Sequence, residues 1–426
     1  MTTTELKKAL KDGALSAFKN LYADIERQTR RMIEAVEAFE KQYGEGREAA
    51  IFSVPGRSET IGNHTDHNRG CVIAAAIDRD IIAVASPNED GVIRMLSEGY
   101  APDTVDLSLL DDPDAFENYS SGALIAGVQA GFLKNDHAIG GFDAYCTTEV
   151  LKGSGISSSA AYEVMIGNIT NHLYNDGAVS AVELAQIAQY AENVFFGKPC
   201  GLMDQTACAV GGFVFIDFED AEKPAIEPID AAALTENGYM LCIVNTGGNH
   251  ADLNEDYASV PREMKAVAAL LGKEVLRGMD EGDLLSRASE IRGALGDRAL
   301  LRAIHFIREN KRVLAAKDAL KKKDISAFFS EILASGHSSF EYLQNVYTVK
   351  AVDDQGLSLA LALTDGFMQT HDGAFRVHGG GFAGTILAFV KAEDAEDYAK
   401  TMDGVLGDGA TMRLRVRPHG AIRLLG

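Results

Sequence analysis

The sequence predicts an α+β protein of two domains, and three observations carry that reading. Its 426 residues exceed one ordinary hydrophobic core and suffice for two. Short apolar runs bounded by Gly, Pro, Asn and Asp read as strands, and stretches of helical periodicity are grouped between the strand runs. No tandem repeat or low-complexity tract interrupts the pattern.

Taken in order, residues 4–44 place Leu15, Phe18, Tyr22, Ile25 and Met32 at steps of three, four, three and seven, which predicts an amphipathic helix packed on the body. Ala49–Val54 reads as a strand that ends at Pro55-Gly56. Strands are expected at Val72–Ala76, Asp80–Ala85 and Val92–Leu96, with Asn88-Glu89-Asp90-Gly91 turning between the last two. A helix near Ser121–Leu133 and a strand at Gly141–Thr148 lead into a Gly/Ser loop and a long helical pattern. Ser180-Ala181-Val182-Glu183 has capping-box spacing and opens a helix towards Phe196. Phe213–Ile216 is a strand, and the acidic stretch Glu219–Lys223 before Pro224 sets a boundary between residues 1–222 and 223–426. Beyond it come a strand at Tyr239–Val244, helices across residues 255–370, and strands near Ala374–Val377 and Thr385–Val390 around a Gly-rich turn.

Composition narrows the class of function. Apolar residues make up 46% and charged residues 24%, the balance of a soluble globular chain. A formal charge of −22 argues against nucleic acid or an anionic membrane as partner, because like charges repel. No uncharged apolar stretch is long enough to span a bilayer, and Met-Thr-Thr-Thr-Glu-Leu-Lys-Lys has no secretory apolar core. Five cysteines without metal-ligand spacing fit reduced thiols in a cytoplasmic protein. The expected state is a monomer or weak homo-oligomer that binds small molecules. An acidic surface is compatible with a phosphate ligand, since a Gly-rich or Arg-lined pocket and a metal ion create a local positive site.

Four segments concentrate the chemistry. Lys152-Gly153-Ser154-Gly155-Ile156-Ser157-Ser158-Ser159-Ala160-Ala161 lies between a strand and a helix. Its glycines allow close backbone approach to a bulky anion, the helix behind them presents free N–H groups, and serine hydroxyls serve phosphate or Mg²⁺. The P-loop signature is absent from the chain. Pro55-Gly56-Arg57-Ser58-Glu59-Thr60-Ile61-Gly62-Asn63-His64-Thr65-Asp66-His67 gathers fixed donors and acceptors of the kind polyol recognition needs. Gly197-Lys198-Pro199-Cys200-Gly201-Leu202-Met203-Asp204-Gln205 places an aspartate at a helix start, where it reads equally as a simple cap. His378-Gly379-Gly380-Gly381-Phe382-Ala383-Gly384 reads as a Gly-rich hairpin.

Together, in this order and spacing, the four segments resemble the motifs of the GHMP small-molecule kinases in their galactokinase form. The Arg57 segment is similar to P-G-R-x-N-x-I-G-E-H-T-D-Y, and the serine loop to G-S-G-L-S-S-S-A-A. The Asp204 segment is similar to P-C-G-I-M-D-Q, and the last turn to G-x-G-F-G-G. Gly141-Phe142-Asp143 and the run Asn245-Thr246, His250, Tyr257 extend the likeness, with Asp256 in place of a glutamate, so that it covers about residue 50 to the C-terminus.

The resemblance implies a ribosomal-protein-S5-domain-2-like N-terminal domain and a ferredoxin-like C-terminal domain. It implies transfer of the ATP γ-phosphate to the anomeric hydroxyl of galactose, giving galactose 1-phosphate and ADP. By position in the motifs, Asp204 receives the sugar hydroxyl proton and Arg57 pairs with it. Gly153, Ser154, Gly155, Ile156, Ser157, Ser158 and Ser159 wrap the triphosphate, while Ser159 and Glu192 hold Mg²⁺. Asn63, His64, Asp66, Gly201, Tyr257 and Gly380 frame the sugar.

Two departures fall in the sugar segment. Asn63 stands at a family glutamate that binds the sugar hydroxymethyl end, and His67 replaces a tyrosine; Ser58-Glu59-Thr60 also differs from V-N-L. An uncharged amide no longer repels a substrate carboxylate, and a protonated histidine attracts one. Hence the alternative of a sugar-1-kinase for a relative such as galacturonate. A third reading is a galactose- and ATP-binding regulator without turnover, against which stand the intact Ser157–Ala161, Glu192, Asp204 and Arg57.

Overall fold

A computed structural model of the chain describes residues 1–150, 155–198, 200–221, 223–230, 232–248 and 253–426. The fold is mixed α and β in two compact units. One unit consists of Met1–Arg57, Ala76–Gly212 and Arg417–Gly426, the other of Ser58–Ala75 and Phe213–Val416. Both are discontinuous in sequence, where the sequence reading drew one boundary at 222/223. The reason lies in two strands longer than expected. Pro55-Gly56 does not stop the first, which runs Ala50–Ile61, and Cys71–Pro87 is a single strand. Each contributes to both units.

In the first unit the sheet order is Ile422–Leu425, Ala50–Ile61, Cys71–Pro87, Phe142–Thr148, Val92–Ser97, Asp103–Asp106. Val92–Ser97 and Phe142–Thr148 run parallel, and their connection carries the helix Ser121–Lys134, as a parallel crossover requires. The N-terminal segment is not one helix but two, Thr3–Lys11 and Ile25–Tyr43. Gly13, at φ 88, breaks the first, and the Asp24 carboxylate restarts the second by accepting from the Arg27 N–H at 2.9 Å. The apolar spacing nevertheless identified the buried face. Leu6, Leu10, Leu15, Tyr22, Met32, Val36 and Phe39 pack with Ile51, Ile82, Val84 and Leu424. Burying each large side chain contributes about 1.5–3 kcal/mol, and Met32→Ala would cost roughly 2–5 kcal/mol.

The second unit holds a four-stranded antiparallel sheet ordered Thr411–Leu414, Tyr239–Asn245, Thr385–Lys391, Gly373–His378. Counted along the chain this is 4-1-3-2, with helices in the first and last connections, the ferredoxin-like arrangement that the motifs implied. Alternate residues Cys242, Val244, Val377, Ile386, Ala388 and Val390 fill one core, and Phe389 meets Phe328 and Phe329 on the other face. Thr385 lies opposite both Asn245 and His378, so the Gly-rich turn 379–384 projects from the end of the sheet. In the same unit Phe213–Asp217 pairs with residues 71–75 and with Ala225–Ile229.

Candidate active site

In the first unit, functional side chains gather where the strand Ala50–Ile61 passes Gly56 and Arg57. A Cβ on Gly56 would stand 2.9 Å from the Ile156 carbonyl oxygen, so only glycine lets the strand come this close to the serine-bearing loop. That approach delivers the Arg57 N–H to the Ile156 carbonyl at 3.1 Å. The guanidinium then spans two partners. Nε and Nη2 donate to Oδ1 and Oδ2 of Asp204, each at 2.7 Å, and Nη1 donates to the Gly155 carbonyl at 2.6 Å. Ser157, expected to touch ATP, donates its hydroxyl to Asp204 Oδ2.

Asp204 sits in the first turn of the helix Met203–Val210, just after exposed Gly201. The N-cap residue is Leu202, which makes no side-chain bond, so Asp204 is not a cap; its carboxylate is turned to Arg57 and Ser157. Burial pushes its pKa up. The Arg57 charge and the hydrogen bonds from Arg57 and Ser157 outweigh that and hold the carboxyl below its ordinary value. With 30% of the side chain exposed, it still presents a face to incoming molecules.

Behind the loop, the helix Ser158–Tyr174 begins after Ser157, whose φ is 56, with no side-chain cap. Its first-turn N–H groups have no intrahelical partners. Ile156 is buried, Ser157, Ser158 and Ser159 are partly exposed and Gly155 is exposed. Gly153, Ser154 and the family-matched His250 lie outside the described residues.

One turn further along, Glu163 is joined to Glu192 through Gln205, whose Nε2 donates to both at 3.1 and 2.9 Å. Lys198 Nζ lies 3.0 Å from Glu192 Oε1. Burial, then the neighbouring Glu192 charge, pushes the Glu163 carboxyl up to about 8. Glu163 Oε1 and Gln205 Oε1 are buried without a hydrogen-bond partner. Oxygen donors with spare capacity, at a place already answered by a cation, are of the class that suits a hard ion such as Mg²⁺, while among the described residues no group of three or more His, Cys, Asp or Glu side chains gathers to hold one. Glu192 owes its inward position to a π-helical turn, Ala191–Phe196, at the end of the helix Ala181–Tyr190.

The second unit assembles the sugar segment. His64, at φ 57, turns its Nε2 to the Gly380 carbonyl at 2.9 Å, so that nitrogen carries the hydrogen. Burial, then the adjacent His67, lowers its pKa to about 4 and keeps the ring neutral. Asp66 lies 3.4 Å from exposed His67. Tyr257 donates its hydroxyl to the Gly381 carbonyl at 2.9 Å and stacks edgewise on Phe382. Asn63, expected to meet the sugar, is fully buried, and its amide is committed to Glu59, Gly379 and Asn345.

Within each unit, then, the predicted residues converge: Arg57 with Asp204, and His64 with Gly380 and Tyr257. Sequence reasoning passed over Glu163, Gln205, Lys198, Asn345 and His305. Gln205 and Lys198 stood inside a quoted motif. His305 and Asn345 lie in helical or loop sequence without punctuation and carried no signal.

A galactokinase galactose-binding signature matches residues 37–87, and the N-terminal domain of GHMP kinases matches residues 121–212. A galactokinase of Streptomyces coelicolor is 32% identical over 376 residues, which cover 86% of this chain and 91% of that protein. The human galactokinase is 29% identical over 404 residues, covering 92% and 96%. The crystal structure of Lactococcus lactis galactokinase complexed with galactose aligns with a TM-score of 0.75 at 22% identity, over 91% of this chain and 98% of that one. A mevalonate kinase aligns at 0.59 and 14%, covering 86% and 98%; at such identities the likeness establishes a shared fold. By its relatives and its two signatures, the chain belongs to the galactokinase family of GHMP kinases.

Proposed function

We propose that the protein transfers the γ-phosphoryl group of ATP to the anomeric hydroxyl of galactose, giving galactose 1-phosphate and ADP. Family membership supports the reaction. The observation that carries the assignment to residues is the two-pronged Arg57–Asp204 pair beside the uncapped start of the helix Ser158–Tyr174. In this reading the sugar O1 forms a bond to the γ-phosphorus as the bond to the β,γ-bridging oxygen breaks. ADP leaves, and the hydroxyl proton passes to Asp204. Because Asp204 is a weakened base, its main task is to orient O1 and take the proton as transfer completes. Arg57 keeps the carboxylate ionised and offers positive charge to the transferring group.

Gly155–Ser159, with Gly153 and Ser154, would cradle the triphosphate on the helix N-terminus. Ser159 and Glu192 would hold Mg²⁺, which when bound neutralises phosphate charge. His64, Asp66, Gly201, Tyr257 and Gly380 would frame galactose. Five free cysteines and ATP as the donor suit the cytoplasm.

The acidic-sugar alternative rested on an uncharged residue at 63, which does not repel a carboxylate, and on a histidine at 67 able to attract one when protonated. The amide is saturated, and Asp66 stands against His67. A side-by-side assay of ADP release with galactose, galacturonate and N-acetylgalactosamine tests the proposal. Galactose is expected to turn over far more efficiently than the other two. Galacturonate turning over better, or binding of galactose and ATP without sugar phosphate in the presence of Mg²⁺, would overturn it.

A further inference from the structure

We propose that Glu59 and Asn63 are an exchanged carboxylate–amide pair that sets the position of the sugar-recognition segment, with Asn63 acting on galactose as a positioning residue and not as a contact. The inference rests on the galactose reading above.

Asn63 has no exposed surface. The two hydrogens of its Nδ2 go to Glu59 Oε1 at 3.0 Å and the Gly379 carbonyl at 2.6 Å. Its Oδ1 accepts from Asn345 Nδ2 at 2.7 Å and Ser339 Oγ at 3.4 Å. Two donors and two lone pairs are the whole capacity of a carboxamide, so nothing remains for a sugar hydroxyl.

The family pattern P-G-R-x-N-x-I-G-E-H-T-D carries an amide where Glu59 stands and a carboxylate where Asn63 stands. This chain keeps one of each and swaps them. The structure explains why the two changes belong together. Position 63 faces two acceptors, Glu59 Oε1 and the Gly379 carbonyl, which only a donor can satisfy. With a carboxylate at 59, an amide at 63 is the matching choice. The Glu59 charge is in turn met by fully buried Arg376, whose Nη1 lies 3.4 Å from Oε1 and donates to the Thr60 carbonyl at 3.0 Å.

The pair reaches the sugar-framing groups through backbone. The Asn63 carbonyl accepts from His305 Nε2 at 3.0 Å, and Asn345 donates a second hydrogen bond to the Gly380 carbonyl, the acceptor that also orients His64. A displaced residue 63 therefore moves His64 and Gly380 together. That predicts a loss in galactose binding larger than any loss in turnover.

The test compares the full-length wild type with E59N, N63E and E59N/N63E, measuring galactose KM, kcat and ligand-free Tm. N63E sets two carboxylates against each other in a dry site. Each single change is expected to raise KM, and the double to recover it, with a coupling of roughly tenfold. Tm should show the same non-additivity. E59A and E59Q keep the test open should N63E not fold. Gln retains an acceptor for the Asn63 amide, so E59Q is expected to restore the KM lost in E59A. Additive effects on KM, improved galactose KM in N63E alone, coupling in Tm with KM unmoved, or equal KM in E59A and E59Q would each overturn the proposal. Wild type that fails to phosphorylate galactose would instead sink the function, leaving the Tm cycle to decide the pair.

Discussion

Arg57 grips both carboxylate oxygens of Asp204, Nε on Oδ1 and Nη2 on Oδ2, each at 2.7 Å. A bidentate guanidinium fixes the plane of the carboxylate as well as its charge. The part of the Asp204 carboxylate that stays exposed is therefore held in one orientation.

Asp204→Asn removes the charge and the proton acceptor while keeping the size. Turnover is expected to fall by about 10²–10⁴-fold, the usual loss on removing a positioned acid–base group. ATP affinity should stay within about threefold, because the role is confined to the reacting hydroxyl. Single-turnover kinetics with calorimetric ATP titration separates the two effects, and unchanged turnover would remove Asp204 from the reaction.

The same ion pair fixes a pH response. Burial alone would raise the Asp204 pKa, and Arg57 reverses the sign. A depressed carboxyl remains ionised to lower pH, so the acid limb of kcat/KM in wild type should lie below the ordinary carboxylate range. In Arg57→Gln the reversal is lost, burial prevails, and the limb should move to higher pH. A pH–rate profile of the variant checks this; a limb that stays in place assigns it to another group.

Stability of the first unit has its own buried charge. Asp80 is fully buried and accepts from Tyr22 at 2.7 Å, Arg31 at 2.6 Å and Arg417 at 3.1 Å, with Ser53 beside them. Burial works against ionisation, but the two arginines prevail and lower its pKa to about 2. Asp80→Asn leaves two guanidiniums short of their counter-charge and should cost about 3–5 kcal/mol. Since the folded pKa is depressed, the ionised carboxylate contributes its stability above the unfolded pKa near 4 and loses it as pH falls through the folded value. The loss amounts to about 2–3 kcal/mol. Denaturant midpoints of wild type and variant should therefore converge as pH falls from about 5 towards 2, and a constant gap would show that Asp80 is not the group titrating.

What the sequence disclosed and what it hid follow from the range of the forces involved. The serine loop and the Asp204 segment were picked out because their Gly and Ser letters mark a helix start locally, and Arg57 because it stood in a dense motif, although it lies within a continuous strand. Pro55-Gly56 was misread as a strand end, since a local turn preference is overridden when glycine is needed for the approach to Ile156. The strands Asp103–Asp106, Ala225–Ile229, Thr411–Leu414 and Ile422–Leu425 went unseen because four- or five-residue strands are stabilised by partners far along the chain. Asn63 was read from its motif slot as a sugar contact, whereas the structure shows its side chain buried and its amide bonded within the protein. A slot does not reveal that Asn345 and Gly379, about 280 and 316 residues away, consume its hydrogen bonds.

Gly380 offers a direct probe of the sugar-framing turn. A Cβ there would lie 2.7 Å from Tyr257 Cε1, inside van der Waals contact, and the ring cannot simply swing aside. Its hydroxyl is tied to the Gly381 carbonyl and its face packs against Phe382 at 5.4 Å between centroids. Gly380→Ala should therefore displace the turn, at a cost of about 1–3 kcal/mol from overpacking. The Gly380 carbonyl also anchors His64, so the galactose KM should rise more than kcat falls. Adding Tyr257→Ala removes the clash, and Tm should partly recover. KM should not, because Tyr257 is itself among the groups proposed to frame the sugar. If Gly380→Ala left both Tm and KM at wild-type values, the turn would have room to spare and no part in positioning galactose.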